Sequence, residues 1–322
     1  MSFSVIFPGQ GSQHVGMGKF LYDNFPSVKE RFEEASDSIS LDLKKLCFEG
    51  PEDQLTLTEN TQPALLLTSY ATFEVLKANT GFSPLMTAGH SIGEYAAVVA
   101  AGSLNFADGV RAVRERGQAM QSAVPVGKGG MAAVMGLSNE QVTELCEWAK
   151  KNGPEGDVEP ANFNSPGQVV ISGHKDLIDF ITKEAKADLF DPAPRRLKLI
   201  PLKVSAPFHS SLMKPAEEHM ERVLGELQFS EAQFPVVQNI DAKEYKDGAK
   251  IRENLVKQVR GAVLWTQCVE TMKSLGGKNF IECGPGKVLA GLVKKIDSDS
   301  LKTLNINSLD ELKAVETAIS GQ

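Results

Sequence analysis

Between a short apolar run ending at Ala88 and an alanine-rich stretch reaching Ala101 stands Gly89-His90-Ser91-Ile92-Gly93. This fits G-x-S-x-G, in which a serine occupies a strained strand-to-helix turn and small residues two positions either side let backbones approach. Such a turn constrains its surroundings: a strand must lead in, a helix must lead out, and the two must pack closely. The outgoing stretch carries Gly93, Ala96, Ala97, Ala100 and Ala101, small enough for that. Its first amides would point toward charge developing beside Ser91, so an oxyanion site there is physically reasonable. The competing reading is a serine that only caps a helix, since Ser is a favoured cap and the pattern also arises by chance.

A serine hydroxyl is a weak nucleophile near neutral pH, so a side chain must take its proton, and histidine is the usual choice. Five histidines are available. His14 follows a loop rich in Gly and Gln at 8–13, His90 is tied to the turn itself, His174 begins a helix, and His219 stands among Glu217, Glu218 and Glu221 on a polar helix face. Only His209 closes an expected strand and precedes the start of a helix, a loop position of the kind that presents catalytic groups. No Asp or Glu is close to it in sequence, so an orienting partner is not visible. A packed or capping histidine without chemistry is the alternative.

The helix expected over 107–124 holds Arg111, Arg114 and Arg116. At about 100° per residue, Val110, Ala112, Val113, Ala119, Met120, Ala123 and Val124 form one apolar arc. Arg116 falls inside that arc and is expected to be partly buried; Arg111 and Arg114 fall outside. A buried guanidinium needs a partner, and its planar fork matches a carboxylate, either an internal Asp or Glu or an acidic substrate.

Further signals organise the rest of the chain. Strand 4–7 runs into the 8–13 loop, with helices expected at 18–38 and 62–79. From 129 onward the pattern reads strand 131–136, helix 139–150, strands 159–164 and 168–172, helix 175–187 and strand 196–204. That β-α-β-β-α-β order is the ferredoxin-like plan. Segments 127–130 and 203–207 look like crossing points, so 127–203 is expected as a subdomain inserted into a core made of 1–126 and 204–322. The remainder resumes α/β alternation: helix 211–227, strand 235–239, helices 249–259 and 265–275, strand 279–282.

Composition narrows the classes. No apolar stretch approaches the roughly 20 residues that a membrane-spanning helix needs, and the first residues read as a strand rather than a secretory signal, so the cytoplasm is the expected location. Cys47, Cys146, Cys268 and Cys283 make no C-x-x-C pair and read as reduced thiols, with no zinc site. A net charge of -7 argues against a general nucleic-acid binder.

Several segments, in order and over nearly the whole chain, resemble the malonyl-CoA:acyl carrier protein transacylases of bacterial fatty-acid synthesis and the acyltransferase domains of polyketide synthases. They are 7–13, 61–64, 89–94, 114–117, 162–168, the Phe208-His209 pair and 282–287. The resemblance implies an α/β-hydrolase-like core with an inserted ferredoxin-like subdomain, in agreement with the pattern above. It implies that Ser91 is acylated, that His209 is the base, and that backbone N–H groups of Gln10 and Ile92 form the oxyanion hole. By the same resemblance Arg116 holds the malonate carboxylate, Gln62 lines the acyl pocket, and the backbone carbonyl of Gln258 orients His209 in place of an acid. Phe208 is similar to the residue of malonyl-selective polyketide enzymes. Segments 153–159 and 188–194 look longer than usual, away from these positions.

The implied reaction passes malonyl from CoA to the phosphopantetheine thiol of acyl carrier protein, without metal or other cofactor. A monomer suffices. Carrier proteins are acidic, so basic clusters at Lys183, Lys186, Arg195, Arg196 and Lys198, or at Lys287, Lys294 and Lys295, would steer docking; an ordinary solvated face is the alternative. A serine hydrolase and a non-catalytic carrier-binding scaffold are the rival functions. Arg116 on an apolar face speaks against the first, and the conjunction of Ser91, His209 and the Gln10 loop against the second.

Overall fold

The computed structural model describes residues 2–204 and 206–321. Its strands are β1 (Phe3–Phe7), β2 (Thr87–Gly89), β3 (Gly129–Met135), β4 (Val158–Ser165), β5 (Gln168–His174), β6 (Lys198–Pro201), β7 (Val236–Val237), β8 (Glu244–Tyr245), β9 (Asn279–Cys283) and β10 (Lys302–Ile306). They form a six-stranded sheet in the order β10-β9-β1-β2-β7-β8 and a four-stranded sheet in the order β4-β5-β3-β6.

The larger sheet is parallel except at its β7–β8 edge. All five residues of β1 are buried, as expected for a strand covered on both faces. Side chains alternate across a strand: Val5 and Phe7 join the core containing Phe73, Tyr95 and Val113, while Ile6 joins the one containing Ala88, Trp265 and Phe280. Helices Thr58–Thr80, Gly93–Ala100 and Phe106–Ser122 pack on the first face, and Trp265–Ser274 and Val288–Ile296 on the second.

The smaller sheet is antiparallel throughout. Its order and connections are those of the ferredoxin-like plan, so the fold is an α/β core with a ferredoxin-like insertion. Helices Asn139–Asn152 and Lys175–Glu184 cover one face through Val142, Leu145, Leu177 and Ile181. The opposite face, with Met131, Ala133 and Val170, looks onto a cleft at the end of β2.

The two sheets are stitched together beyond the covalent crossings. The crossing segments touch: a Cβ on Gly129 would lie 2.2 Å from Pro207 Cδ. Ser205, inside the second of them, lies outside the described residues. The Phe163 N–H donates to the Val263 carbonyl at 2.9 Å, and the Val263 N–H to the Ala161 carbonyl at 2.8 Å. Strand β4 thereby extends its ladder into the core.

Several expected elements change. The 18–38 helix is two, Lys19–Asn24 and Pro26–Ile39, because Pro26 has no N–H to donate and pushes Phe25 into extended backbone. Strand 196–204 shrinks to β6, and 235–239 to β7. In both, the chain leaves the ladder to cross or to turn. Helix 175–187 stops at Glu184, and 211–227 is a short 3₁₀ turn followed by Lys214–Gly225, with Pro215 in its first turn. Helices at Leu43–Glu49, Glu52–Thr56, Val288–Ile296 and Leu309–Ser320, and strands β8 and β10, were not anticipated. Among the described residues no helix is long and apolar enough to cross a membrane.

Candidate active site

The serine turn forms as its glycines require. Ser91 has φ 51°, left-handed backbone that costs a residue with a side chain about 1–3 kcal/mol. The contacts around it leave no room for relaxation: a Cβ on Gly89 would lie 2.0 Å from Gly93 backbone, and one on Gly93 would lie 2.2 Å from the Phe7 carbonyl oxygen. The Ser91 N–H donates to Asn239 Oδ1 at 2.7 Å, and Asn239 Nδ2 donates to the Gly89 carbonyl at 2.8 Å.

His209 does not close a strand; β6 ends at Pro201, and His209 stands in a loop at φ 56°. The loop still delivers it. Ser91 Oγ and His209 Nε2 are 2.7 Å apart, and His209 Nδ1 faces the carbonyls of Gln258 at 2.9 Å and Gly261 at 3.1 Å. Two acceptors on Nδ1 put the proton there, so Nε2 is free to accept the serine proton. Burial, helped by the Arg116 charge and by His90, pushes His209 down to about 3 against the pull of those carbonyls. The imidazole is therefore neutral, as a base must be.

The remaining histidines have other engagements. His14 Nδ1 is 3.4 Å from the Ser12 carbonyl, and His174 Nδ1 accepts the Asp157 N–H at 2.8 Å. His219, expected among its helix-face glutamates, instead meets Glu115 at 2.9 Å. His90 lines the cleft, with Nε2 2.8 Å from Asn164 Oδ1.

Arg116 is fully rather than partly buried, at 1% exposure. Its Nη1 donates to Gln62 Oε1 at 2.9 Å; its Nη2 donates to Gln258 Oε1 at 2.9 Å and to Ser91 Oγ at 3.2 Å. Its Nε is buried without a partner among the described residues, and its guanidinium carbon lies 5.6 Å from the centre of the Tyr95 ring. Among the described residues no Asp or Glu forms an ion pair with it. Desolvation pulls it below the usual arginine range, opposed by Tyr95 and Glu94. Arg111 and Arg114 are occupied elsewhere, with Asp108 and with Asn60 and the Glu59 carbonyl.

These groups surround a cleft of about 290 Å³ whose walls include Gln10, Gln62, Ile92, Met120, Val170 and Phe208. Among the described residues, neither the Gln10 nor the Ile92 backbone N–H meets an acceptor, leaving both available to an oxyanion. Sequence reasoning foresaw Gln258 only as a backbone carbonyl; its side chain also ties Arg116 to the Ser91 carbonyl, the latter at 3.0 Å. Asn239 and Gly261 were missed, as were the cleft positions of Asn162, Asn164 and Gln168, although the last three stand in a segment already singled out. A polar pair, Gln238-Asn239, ending a buried strand was the available signal. Behind Asn239 lies Glu94, whose carboxyl burial pushes up to about 7 although the Asn239 N–H and the Gln238 amide donate to it. Among the described residues no cluster of His, Cys, Asp and Glu could hold a metal ion.

Residues 4–308 match the acyl transferase domain family. The malonyl CoA-acyl carrier protein transacylase of Salmonella typhimurium is 44% identical over 319 residues, 99% of each chain. Among solved structures, the Coxiella burnetii malonyl CoA-acyl carrier protein transacylase superposes with a TM-score of 0.93 at 38% identity, covering 99% of this chain and 98% of that one. A malonyl-transacylase solved in complex with its type II PKS acyl-carrier protein gives 0.91 at 41% identity over 100% of both. By sequence and by fold the chain belongs to the acyl transferase family and, within it, to the malonyl CoA-acyl carrier protein transacylases.

Proposed function

We propose that the protein transfers a malonyl group from malonyl-CoA to the phosphopantetheine thiol of acyl carrier protein through a malonyl ester on Ser91, supplying chain extender for fatty-acid synthesis. The observation that carries the reading is Arg116: a buried cation beside the reactive hydroxyl, steadied by two neutral amides and, among the described residues, lacking a carboxylate of its own. The free carboxylate of a malonyl group is the counter-ion that such a guanidinium calls for.

His209 Nε2 takes the hydroxyl proton as Ser91 Oγ attacks the thioester carbonyl. The carbonyl oxygen gains negative charge facing the N–H groups of Gln10 and Ile92. Collapse breaks the C–S bond, and the CoA sulfur leaves with the proton from His209. The carrier thiol then attacks the ester, giving its proton to His209, which returns it to Ser91 Oγ. Gln258 acts on both sides, its carbonyl orienting the base and its amide holding Arg116, which Gln62 steadies from the acyl pocket. Apolar walls at Met120, Met131, Val170 and Phe208 disfavour water, so the ester waits for a thiol. The chemistry asks for no resident cofactor. The same reading makes the protein a cytoplasmic monomer, with a core of 1–126 and 204–322 and a subdomain of 127–203.

Intact mass after brief incubation with malonyl-CoA, in parallel with acetyl-CoA, tests it on wild type and Ser91→Ala. A malonyl adduct on wild type alone, discharged by carrier protein, is expected. Release of free malonate without an acceptor would point to a hydrolase, and absence of any adduct would remove the covalent mechanism.

A further inference from the structure

Strand β2 ends at Gly89 and its neighbour β7 at Val237, so the backbone ladder between them stops short of Ser91. Asn239 continues it with a side chain. Its amide accepts from the Ser91 N–H at 2.7 Å and donates to the Gly89 carbonyl at 2.8 Å, one bond on each flank of His90. Asn239 is wholly buried, and so is Glu94, whose Oε2 accepts the Asn239 N–H at 2.6 Å. The Asn239 carbonyl accepts the Leu264 N–H at 3.0 Å, closing the anchor.

We infer that Asn239 is a positioning residue that holds Ser91 in its left-handed conformation, with Glu94 as the anchor that aims the Asn239 amide. A residue with a side chain at φ 51° relaxes toward ordinary backbone unless its surroundings forbid it. The glycine contacts block relaxation sterically on the Phe7 side. Asn239 blocks it by hydrogen bonding on the other side, and Gln258 Nε2 holds the Ser91 carbonyl at 3.0 Å. Asn suits the task because one planar group supplies both a donor and an acceptor. Without it, Ser91 Oγ leaves the 2.7 Å contact with His209 Nε2, and a displacement of about 1 Å costs on the order of a hundredfold in rate.

The inference rests on Ser91 being the acylated residue, and the test separates the two. Single-turnover acylation by malonyl-CoA is followed by quenched intact mass on wild type, Asn239→Ala and Asn239→Asp, with malonyl-CoA affinity measured by calorimetry on the same changes in a Ser91→Ala background. Asn239→Ala is expected to slow acylation about a hundredfold while affinity changes less than threefold. The Asn239→Asp variant keeps the acceptor for Ser91 N–H but presents a bare oxygen to the Gly89 carbonyl unless protonated. Its rate relative to wild type should therefore climb as pH falls. Glu94 and Cys268 touch that position, with the Arg116 charge beyond Gln258, and the wild-type reference carries their contribution. Acylation at the wild-type rate by Asn239→Ala, or a pH-independent ratio for Asn239→Asp, would overturn the inference while leaving the Ser91 mechanism standing. No adduct on wild type would overturn both.

Discussion

Arg116→Ala tests the proposed recognition of the malonyl carboxylate. A guanidinium carries five N–H groups; three are spent on Gln62, Gln258 and Ser91 and the one on Nε is buried, which leaves one on Nη1 for a carboxylate. A hydrogen bond to a charged group contributes about 1.5–3 kcal/mol, so losing it costs malonyl transfer roughly one to two orders of magnitude. The same change strips Gln62 and Gln258 of a donor, and that loss falls equally on any acyl group. The ratio of malonyl to acetyl acylation rates cancels the shared part. Measured by quenched intact mass with malonyl-CoA and acetyl-CoA, the ratio should collapse in Arg116→Ala while acetyl acylation persists. A ratio within about threefold of wild type would refute the carboxylate role, since even one charge-assisted bond is worth about tenfold.

Four further outcomes follow from the geometry. Because His209 is held at about 3, acylation by the free enzyme should show no inflection near the ordinary histidine value of about 6.5; finding one would show the base is solvated. The same shift leaves the folded state with fewer bound protons, so stability is complete above about 6.5 and is lost as pH falls toward 3, a loss that urea unfolding across that window would detect. Gly93→Ala forces a Cβ to 2.2 Å from the Phe7 carbonyl and should destabilise by about 3 kcal/mol, the upper end of the overpacking range; a melt indistinguishable from wild type would mean the turn relaxes. Reversing Lys287 and Lys294 to Glu should slow transfer to an acidic carrier protein about tenfold and spare acylation by CoA. Lys295 of that cluster already reaches the cleft residue Gln168 at 3.0 Å, and equal slowing of both half-reactions would reject docking there.

The legible parts of the sequence were those whose physics is local. Gly89, Ser91 and Gly93 announce a crowded turn because only small residues survive such contacts, and Arg116 stands out because charge does not belong on an apolar arc. The β-α-β-β-α-β order survived because each of its segments has its own period and turn signals. Asn239, Gly261 and the side chain of Gln258 were illegible for the opposite reason. They act on residues 52 to 167 positions away, and apart from the polarity of the Gln238-Asn239 pair nothing in a neutral amide or a glycine marks it as the far end of such a contact. The partner of His209 was hidden in the same way, and only the resemblance named the Gln258 carbonyl: two carbonyls, invisible as side chains, do the work of an acid.

The bond between β4 and the 263 segment has a consequence for modularity. Val263 pairs with Ala161 and Phe163 of the insertion, and two residues before it Gly261 holds the imidazole. The four-stranded unit is thus not a removable hood over a finished catalytic core; part of the histidine's scaffold is shared with it. Chimaeras that exchange 127–203 between relatives should retain turnover only when the 261–266 stretch travels from the same parent, and a donor chosen for substrate preference alone would bring a misaligned base along with its new pocket wall.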